Sequence, residues 1–193
     1  MGLSERLVNK PWLAVRIGPA EPAHADSIKA ILRVPDVAMP YFGTMVSEAR
    51  LDQYVWEHWS GRVLPPCWQI TACCPEDGQV VGAASLTANT LSYFVAPPHW
   101  GWGIATQMIN YLRSHPDVVA RGLPLMAMIY RENRASIALV DKLGFSFAGL
   151  QPPKDHSFAG RAMLKYVLPR APLINRQPGV QPAHECCIHP RTP

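Results

Sequence analysis

Leu91-Ser92-Tyr93-Phe94-Val95-Ala96-Pro97-Pro98-His99-Trp100-Gly101-Trp102-Gly103-Ile104-Ala105-Thr106 is the stretch on which the reading of this 193-residue chain turns. Leu91 to Ala96 is a short apolar run of strand character, cut off by Pro97-Pro98. Ile104, Met108, Ile109 and Leu112 then recur at helical spacing, which predicts a helix from Gly103 to Leu112. The loop between them carries Gly101 and Gly103, where backbone can approach a ligand closely. A helix start presents N–H groups without helical acceptors at the positive end of its dipole, a place for an anion such as a pyrophosphate. Taken alone, Gly-x-Gly before a helix also reads as a tight turn packed by Trp100 and Trp102. A dinucleotide fingerprint is disfavoured, because the third glycine is missing and no simple parallel βαβ unit surrounds the loop.

Upstream, Trp12 to Ile17 suits a first strand and Ala23 to Leu32 a helix with Ala25, Ile28, Ile31 and Leu32 on its apolar face. A second helix over Ser47 to Trp59 groups Leu51, Tyr54, Val55 and Trp59, and turns Glu48, Asp52 and Glu57 to water. Trp68 to Cys74 and Val80 to Thr87 flank Pro75-Glu76-Asp77-Gly78 and predict a hairpin. Downstream come a buried strand (Leu123 to Tyr130), a helix (Ala135 to Leu143) stopped by Gly144, and strands over Phe145 to Leu150 and Ala162 to Val167. This order predicts an α/β (α+β) fold around a mixed, mostly antiparallel sheet, not a doubly wound one. From Leu168 the chain turns to Pro, Arg, Gln and His, so residues 1–168 read as one domain and 169–193 as a flexible Pro-rich tail.

Composition removes several function classes. The net charge is only +4 and no basic run of five occurs, which gives nucleic acid and membrane surfaces no purchase. No apolar run reaches bilayer length, and Met1 to Pro11 lacks the apolar core of a secretory signal. Five cysteines, Cys67, Cys73, Cys74, Cys186 and Cys187, make a poor disulfide framework and agree with a reducing compartment; the expected location is the cytoplasm. His184, Cys186, Cys187 and His189 are ligand types, but adjacent cysteines lack zinc-site spacing, so no metal is expected.

Asn133-Arg134-Ala135-Ser136 opens the later helix, and Asp141-Lys142-Leu143-Gly144-Phe145 closes it. By local chemistry Asn133 is an N-cap and Gly144 a left-handed terminator. Together the two segments resemble the GNAT N-acetyltransferase superfamily. The first is similar to its coenzyme-A signature, Q/R-x-x-G-x-G/A after V-x-P: Val95, Pro97, Gly103 and Ala105 match, Gly101 is the common additional glycine, and Trp100 stands where Gln or Arg is expected. The second is similar to the N-x-x-S…K-L-G-F pattern of the branch that includes ribosomal-protein N-terminal acetyltransferases and polyamine or antibiotic acetyltransferases. The resemblance spans Ala14 to Val167.

The resemblance implies a twisted sheet of six to seven strands flanked by about four helices. It also implies acetyl-CoA as cosubstrate, with transfer to a primary amine of a small molecule or a peptide N-terminus in a ternary complex. On it, the backbone of Phe94 and Val95 holds the pantetheine arm. The loop and helix start Trp100, Gly101, Trp102, Gly103, Ile104, Ala105 and Thr106 hold the pyrophosphate. Asn133 touches the pantetheine chain, and Ser136 donates to the leaving sulfur. Val140 occupies the position of the tyrosine that the family often uses to protonate the thiolate. The base is unassigned: Asn89, Thr90 and Ser92 lie where related enzymes carry a glutamate, and Glu132, Glu57 and His58 also read as plain surface residues. Trp56, Trp59 and Tyr41 fall where the family's acceptor site has its edge. The protein is expected to be a monomer or homodimer. The competing readings are a non-catalytic CoA-binding sensor and an interaction module on the same fold.

Overall fold

The computed structural model describes residues 15–59, 67–152 and 159–169. The first half of the first expected strand (residues 12–14), residues 60–66, residues 153–158 and residues 170–193 with their His and Cys side chains lie outside that set.

Among the described residues seven strands form one sheet in the order β1-β2-β3-β4-β5-β7-β6. They are β1 (Arg16–Pro19), β2 (Cys67–Cys73), β3 (Val80–Thr87), β4 (Thr90–Val95), β5 (Leu125–Ile129), β6 (Ser146–Gln151) and β7 (Met163–Leu168). Every neighbouring pair is antiparallel except β4 and β5. The chain reaches β5 from β4 through α4 (Ile104–Ser114) and α5 (Pro116–Ala120). Such a crossover is what a parallel pair requires.

The sheet is covered on both sides. On one, α4 and α6 (Arg134–Lys142) press Ile104, Met108, Ile109, Leu112 and Val140 onto Ile70, Leu86, Leu91 and Ala127. On the other, α1 (Ala25–Arg33), α2 (Pro35–Phe42) and α3 (Glu48–Trp59) bury Ile28, Leu32, Phe42, Val55 and Trp59 against Val80, Ala83 and Phe94. At about 1.5–3 kcal/mol per fully buried large apolar side chain, these two layers supply the main folding drive. The expected faces hold: Ile28, Ile31 and Leu32 of α1 are buried, as are Leu51, Val55 and Trp59 of α3. Glu48 and Asp52, expected at the surface, do lie there and pair with Arg33 and Lys29 of α1.

Two helices escape the periodicity reading. In α2, Pro35 opens the helix and Pro40 sits inside it, a residue that sequence rules treat as a breaker. The helix survives because it is only eight residues long and Val37, Ala38 and Phe42 are buried. Gly43 ends it at φ 75°, and a Cβ there would meet the Tyr130 ring at 2.6 Å, so only glycine fits. The five-residue α5 is too short to show a period.

Candidate active site

β4 and β5 part almost as soon as they meet. Their pairing covers Thr90↔Met126 and Leu91↔Ala127, while β5 pairs along its whole length with β7 on its other side. Beyond Leu91 the strands enclose a cavity of about 280 Å³. Ser92 and Tyr93 of β4, Met128 and Ile129 of β5, Tyr41 of α2 and Tyr54 of α3 line it, with Tyr130, Asn133 and Ser136 beyond the end of β5.

Strand alternation decides which backbone groups border this opening. Ala96 N–H donates to the Val81 carbonyl at 2.8 Å, and the β3–β4 register runs unbroken from Gly82↔Val95 to Thr87↔Thr90. Phe94 therefore turns its N–H and C=O to β3, and its carbonyl oxygen lies 2.9 Å from where a Gly82 Cβ would be. Tyr93 and Val95 turn theirs to the opening. Of the two residues whose backbone was expected to hold the arm, Val95 borders the opening, whereas Phe94 faces β3 and Tyr93 is its neighbour on the free edge. The Phe94 side chain packs in the core, 5.3 Å from the Tyr41 ring and 5.5 Å from Trp59.

At the head of the cleft the loop folds back into α4 through two left-handed glycines, Gly101 at φ 79° and Gly103 at φ 73°. Gly101 has open space around its absent Cβ, so backbone conformation, not crowding, demands glycine there. The first helical bond runs from Gln107 N–H to the Gly103 carbonyl at 3.0 Å. The N–H groups of Ile104, Ala105 and Thr106 precede it, and Gly103 offers no side-chain cap. This geometry suits an anion. The Ile104 side chain is buried in the core and Trp102 packs against it, so at these positions the backbone is what faces outward. Trp100, 45% exposed, donates its indole N–H to the Val95 carbonyl at 2.7 Å and so spans the mouth between strand and loop.

α6 brings the other expected pair. Asn133 Oδ1 accepts from the Ser136 backbone N–H at 3.0 Å, and Asn133 Nδ2 donates to the Pro40 carbonyl at 3.1 Å. One side chain thus caps α6 and ties it to α2 across the cavity. Ser136 is half-buried on the cavity wall, and the Tyr93 hydroxyl donates to its carbonyl at a long 3.5 Å. Val140, one turn on, is fully buried and offers the cavity nothing.

On the helical side, the Tyr41 and Tyr54 hydroxyls lie 2.8 Å apart, and Tyr41 also reaches the Ser92 side chain. Burial pushes Tyr41 well above the ordinary phenol range and Tyr54 upward as well, and raises Tyr93 to about 12. All three are neutral hydrogen-bonding groups near neutral pH, not bases.

The remaining candidates scatter. Trp59 is core, and Trp56 is exposed beside the groove between α1 and α3. Glu57 accepts from Gln53, and Glu132 pairs with Arg161, whose guanidinium also lies over the Tyr130 ring. His58 stacks on Tyr54 with ring centres 4.4 Å apart. Asn89 donates to the Pro124 carbonyl, away from the opening. No group of three metal-ligand side chains occurs among the described residues. The sequence reading missed Tyr93, Tyr54 as a cavity residue, Tyr130 and Pro40. The signal for Tyr93 was present, because it is two residues from Val95 and shares its strand face.

The family model described as an acetyltransferase (GNAT) domain matches residues 15–146. The chain belongs to this GNAT acetyltransferase family. No curated protein matches it. Among solved structures, a GCN5-related N-acetyltransferase from Kribbella flavida superposes with a TM-score of 0.64 at 19% identity, over 81% of this chain and 98% of that one. The ribosomal-protein-S5-alanine acetyltransferase from Vibrio fischeri gives 0.61 at 14% identity, over 83% and 95%. An acetyl transferase from Salmonella typhimurium that modifies the N-terminal serine of ribosomal protein L7/L12 gives 0.64 at 14% identity, over 81% and 95%. At such identities the GNAT likeness is one of fold. The seven-stranded, mostly antiparallel sheet agrees with the expected architecture, and among the described residues six α-helices stand where about four were expected.

Proposed function

We propose that this GNAT protein is an acetyl-CoA-dependent N-acetyltransferase, acting on a primary amine of a small molecule or a peptide N-terminus. The observation that carries the reading is the parting of β4 from β5 after Leu91, on the strand whose end leads through the glycine-bearing loop into the N-terminus of α4. The backbone edges of Tyr93 and Val95 fit an extended amide-bearing arm, as a strand edge fits an added strand. The N–H groups of Ile104, Ala105 and Thr106, with the loop from Trp100 to Gly103, fit the diphosphate that such an arm carries. No metal is needed for this chemistry.

Acetyl transfer then follows from positions. The amine enters from the Tyr41, Tyr54 and Ser92 side of the cavity and attacks the thioester carbonyl directly. A strand N–H of the β4 edge stabilises the developing oxyanion. Ser136 lies where its hydroxyl can donate to the sulfur, and Asn133 holds the start of α6 beside the arm. The acceptor's proton passes to water. A positioned base contributes about a hundredfold or more, and its lack slows turnover without abolishing it. A cytoplasmic monomer or homodimer, with no nucleic-acid or membrane partner, completes the reading. Among the described residues no helix is long and apolar enough to cross a membrane.

The test has two stages. Acetyl-CoA raises the melting temperature if the native state binds it, and thiol release is then followed over a panel of amines. Stabilisation without release from any amine supports the second reading, a non-catalytic CoA-binding module, which the hold of Trp100 on the Val95 carbonyl favours. Absence of both stabilisation and release overturns the proposal.

A further inference from the structure

We propose that Tyr93, on β4, is a second hydrogen-bond donor beside Ser136 of α6 to the negative charge developing on the departing sulfur. The inference rests on the acetyl-CoA reading and adds a catalytic residue to it. Tyr93 alternates with Leu91 and Val95, so its ring lies on the sheet face covered by α4 and α6. Its hydroxyl crosses the space between the parted strand and α6 and ends beside Ser136, lining the same cavity. The same residue therefore borders the opening with its backbone and reaches with its side chain the spot where the arm's terminus must meet α6.

Two features fit this role better than a structural one. The hydroxyl's bond to the Ser136 carbonyl is stretched to 3.5 Å, and bonds of that length are weak; its other polar neighbour is the Ser136 side chain, on the same cavity wall. A ligand atom offering better geometry can redirect the O–H without loss. The helix itself supplies no phenol, because Val140 is an aliphatic residue sealed in the core. Burial also keeps the ring neutral, so the O–H is always present to donate.

In the step itself the amine nitrogen bonds to the acetyl carbon, the C–S bond breaks, and its electron pair goes to sulfur. The Tyr93 O–H shares its hydrogen with that sulfur, while the proton lost from nitrogen goes to water. A free thiol titrates near about 8.5, well below this phenol, so the thiolate leaves hydrogen-bonded and is not fully protonated by Tyr93.

The experiment compares wild type with Tyr93→Phe. In the variant kcat falls about a hundredfold with KM for acetyl-CoA little changed, as for loss of a donor felt only in the transition state. Independently of turnover, the thiol of bound CoA is titrated by the ultraviolet absorbance of its thiolate. It ionises about one pH unit higher in Tyr93→Phe than in wild type, a tenfold change in acidity. Unchanged kcat together with an unchanged thiol titration overturns the assignment while leaving the acetyltransferase reading intact. A lower melting temperature and weaker CoA binding at full kcat overturn it too, in favour of packing. If wild type neither binds CoA nor releases thiol, the underlying reading has failed instead. Should Tyr93→Phe not fold, fluorotyrosine at position 93 keeps the hydroxyl and makes it a stronger donor. The bound thiol then ionises at lower pH, and no movement counts against Tyr93.

Discussion

Trp100 holds the Val95 carbonyl with its indole N–H, and the same carbonyl borders the opening that the pantetheine arm is proposed to follow. A hydrogen bond of this kind contributes about 0.5–1.5 kcal/mol net, so it competes with the arm without closing the site. Trp100→Phe is expected to tighten CoA binding by about three- to tenfold, measured by calorimetry. Weaker binding in that variant would mean that the indole supports the carbonyl instead of contesting it. Ser136 poses a different question, because its backbone N–H caps into Asn133 whatever the side chain does. Ser136→Ala leaves that cap untouched, and turnover is expected to fall more than CoA affinity. Equal activity would remove the Ser136 hydroxyl from the mechanism.

At the scale of elements, the start of α4 depends on two residues with positive φ. Gly103 is the last residue before the helix and sits at φ 73°, where an L side chain costs about 1–2 kcal/mol. Gly103→Ala is expected to destabilise the fold by that amount in chemical denaturation. It is also expected to weaken CoA binding by about tenfold, since relaxing the strain re-aims the N–H groups of Ile104 to Thr106. Full affinity in the variant would show that the loop tolerates other dihedrals and that the amides are not preset. α2 matters in the same way for the opposite wall. Its Pro40 carbonyl takes the Asn133 amide, and Gly43 lets it turn beneath Tyr130.

For the whole molecule, the three buried phenols couple stability to alkaline pH. Tyr93 rises from an ordinary 10.0 to about 12 on folding, and Tyr41 and Tyr54 also rise. Between those values the unfolded chain has lost the proton and the folded chain keeps it. Unfolding therefore becomes easier as pH climbs, by up to about 1.4 kcal/mol per pH unit for each such tyrosine. For Tyr93 the stabilisation is present below pH 10 and is lost as pH climbs from 10 to about 12; Tyr41 and Tyr54 act in the same direction. Denaturation midpoints followed across that window, in wild type and Tyr93→Phe, should fall less steeply in the variant. Parallel slopes would show that Tyr93 titrates no differently in the two states.

Local chemistry in the chain was enough for the strands, the two-proline stop after β4, the Gly-bearing entry to α4, and the Asn133 and Gly144 ends of α6. Each is set by neighbours within a few residues, through periodicity, left-handed glycines and capping. It did not disclose α2, because Pro40 speaks locally against a helix that burial of Val37, Ala38 and Phe42 enforces. Nor did it disclose which backbone edge faces the opening, since only the pairing register with β3 separates Phe94 from Tyr93 and Val95. Tyr41, Tyr54 and Tyr93 come from three elements, and their meeting around one cavity is a product of packing at long sequence separation. The anion-binding loop is thus written in consecutive residues. The chamber where the chemistry is proposed to occur is built only when distant strands and helices close on one another.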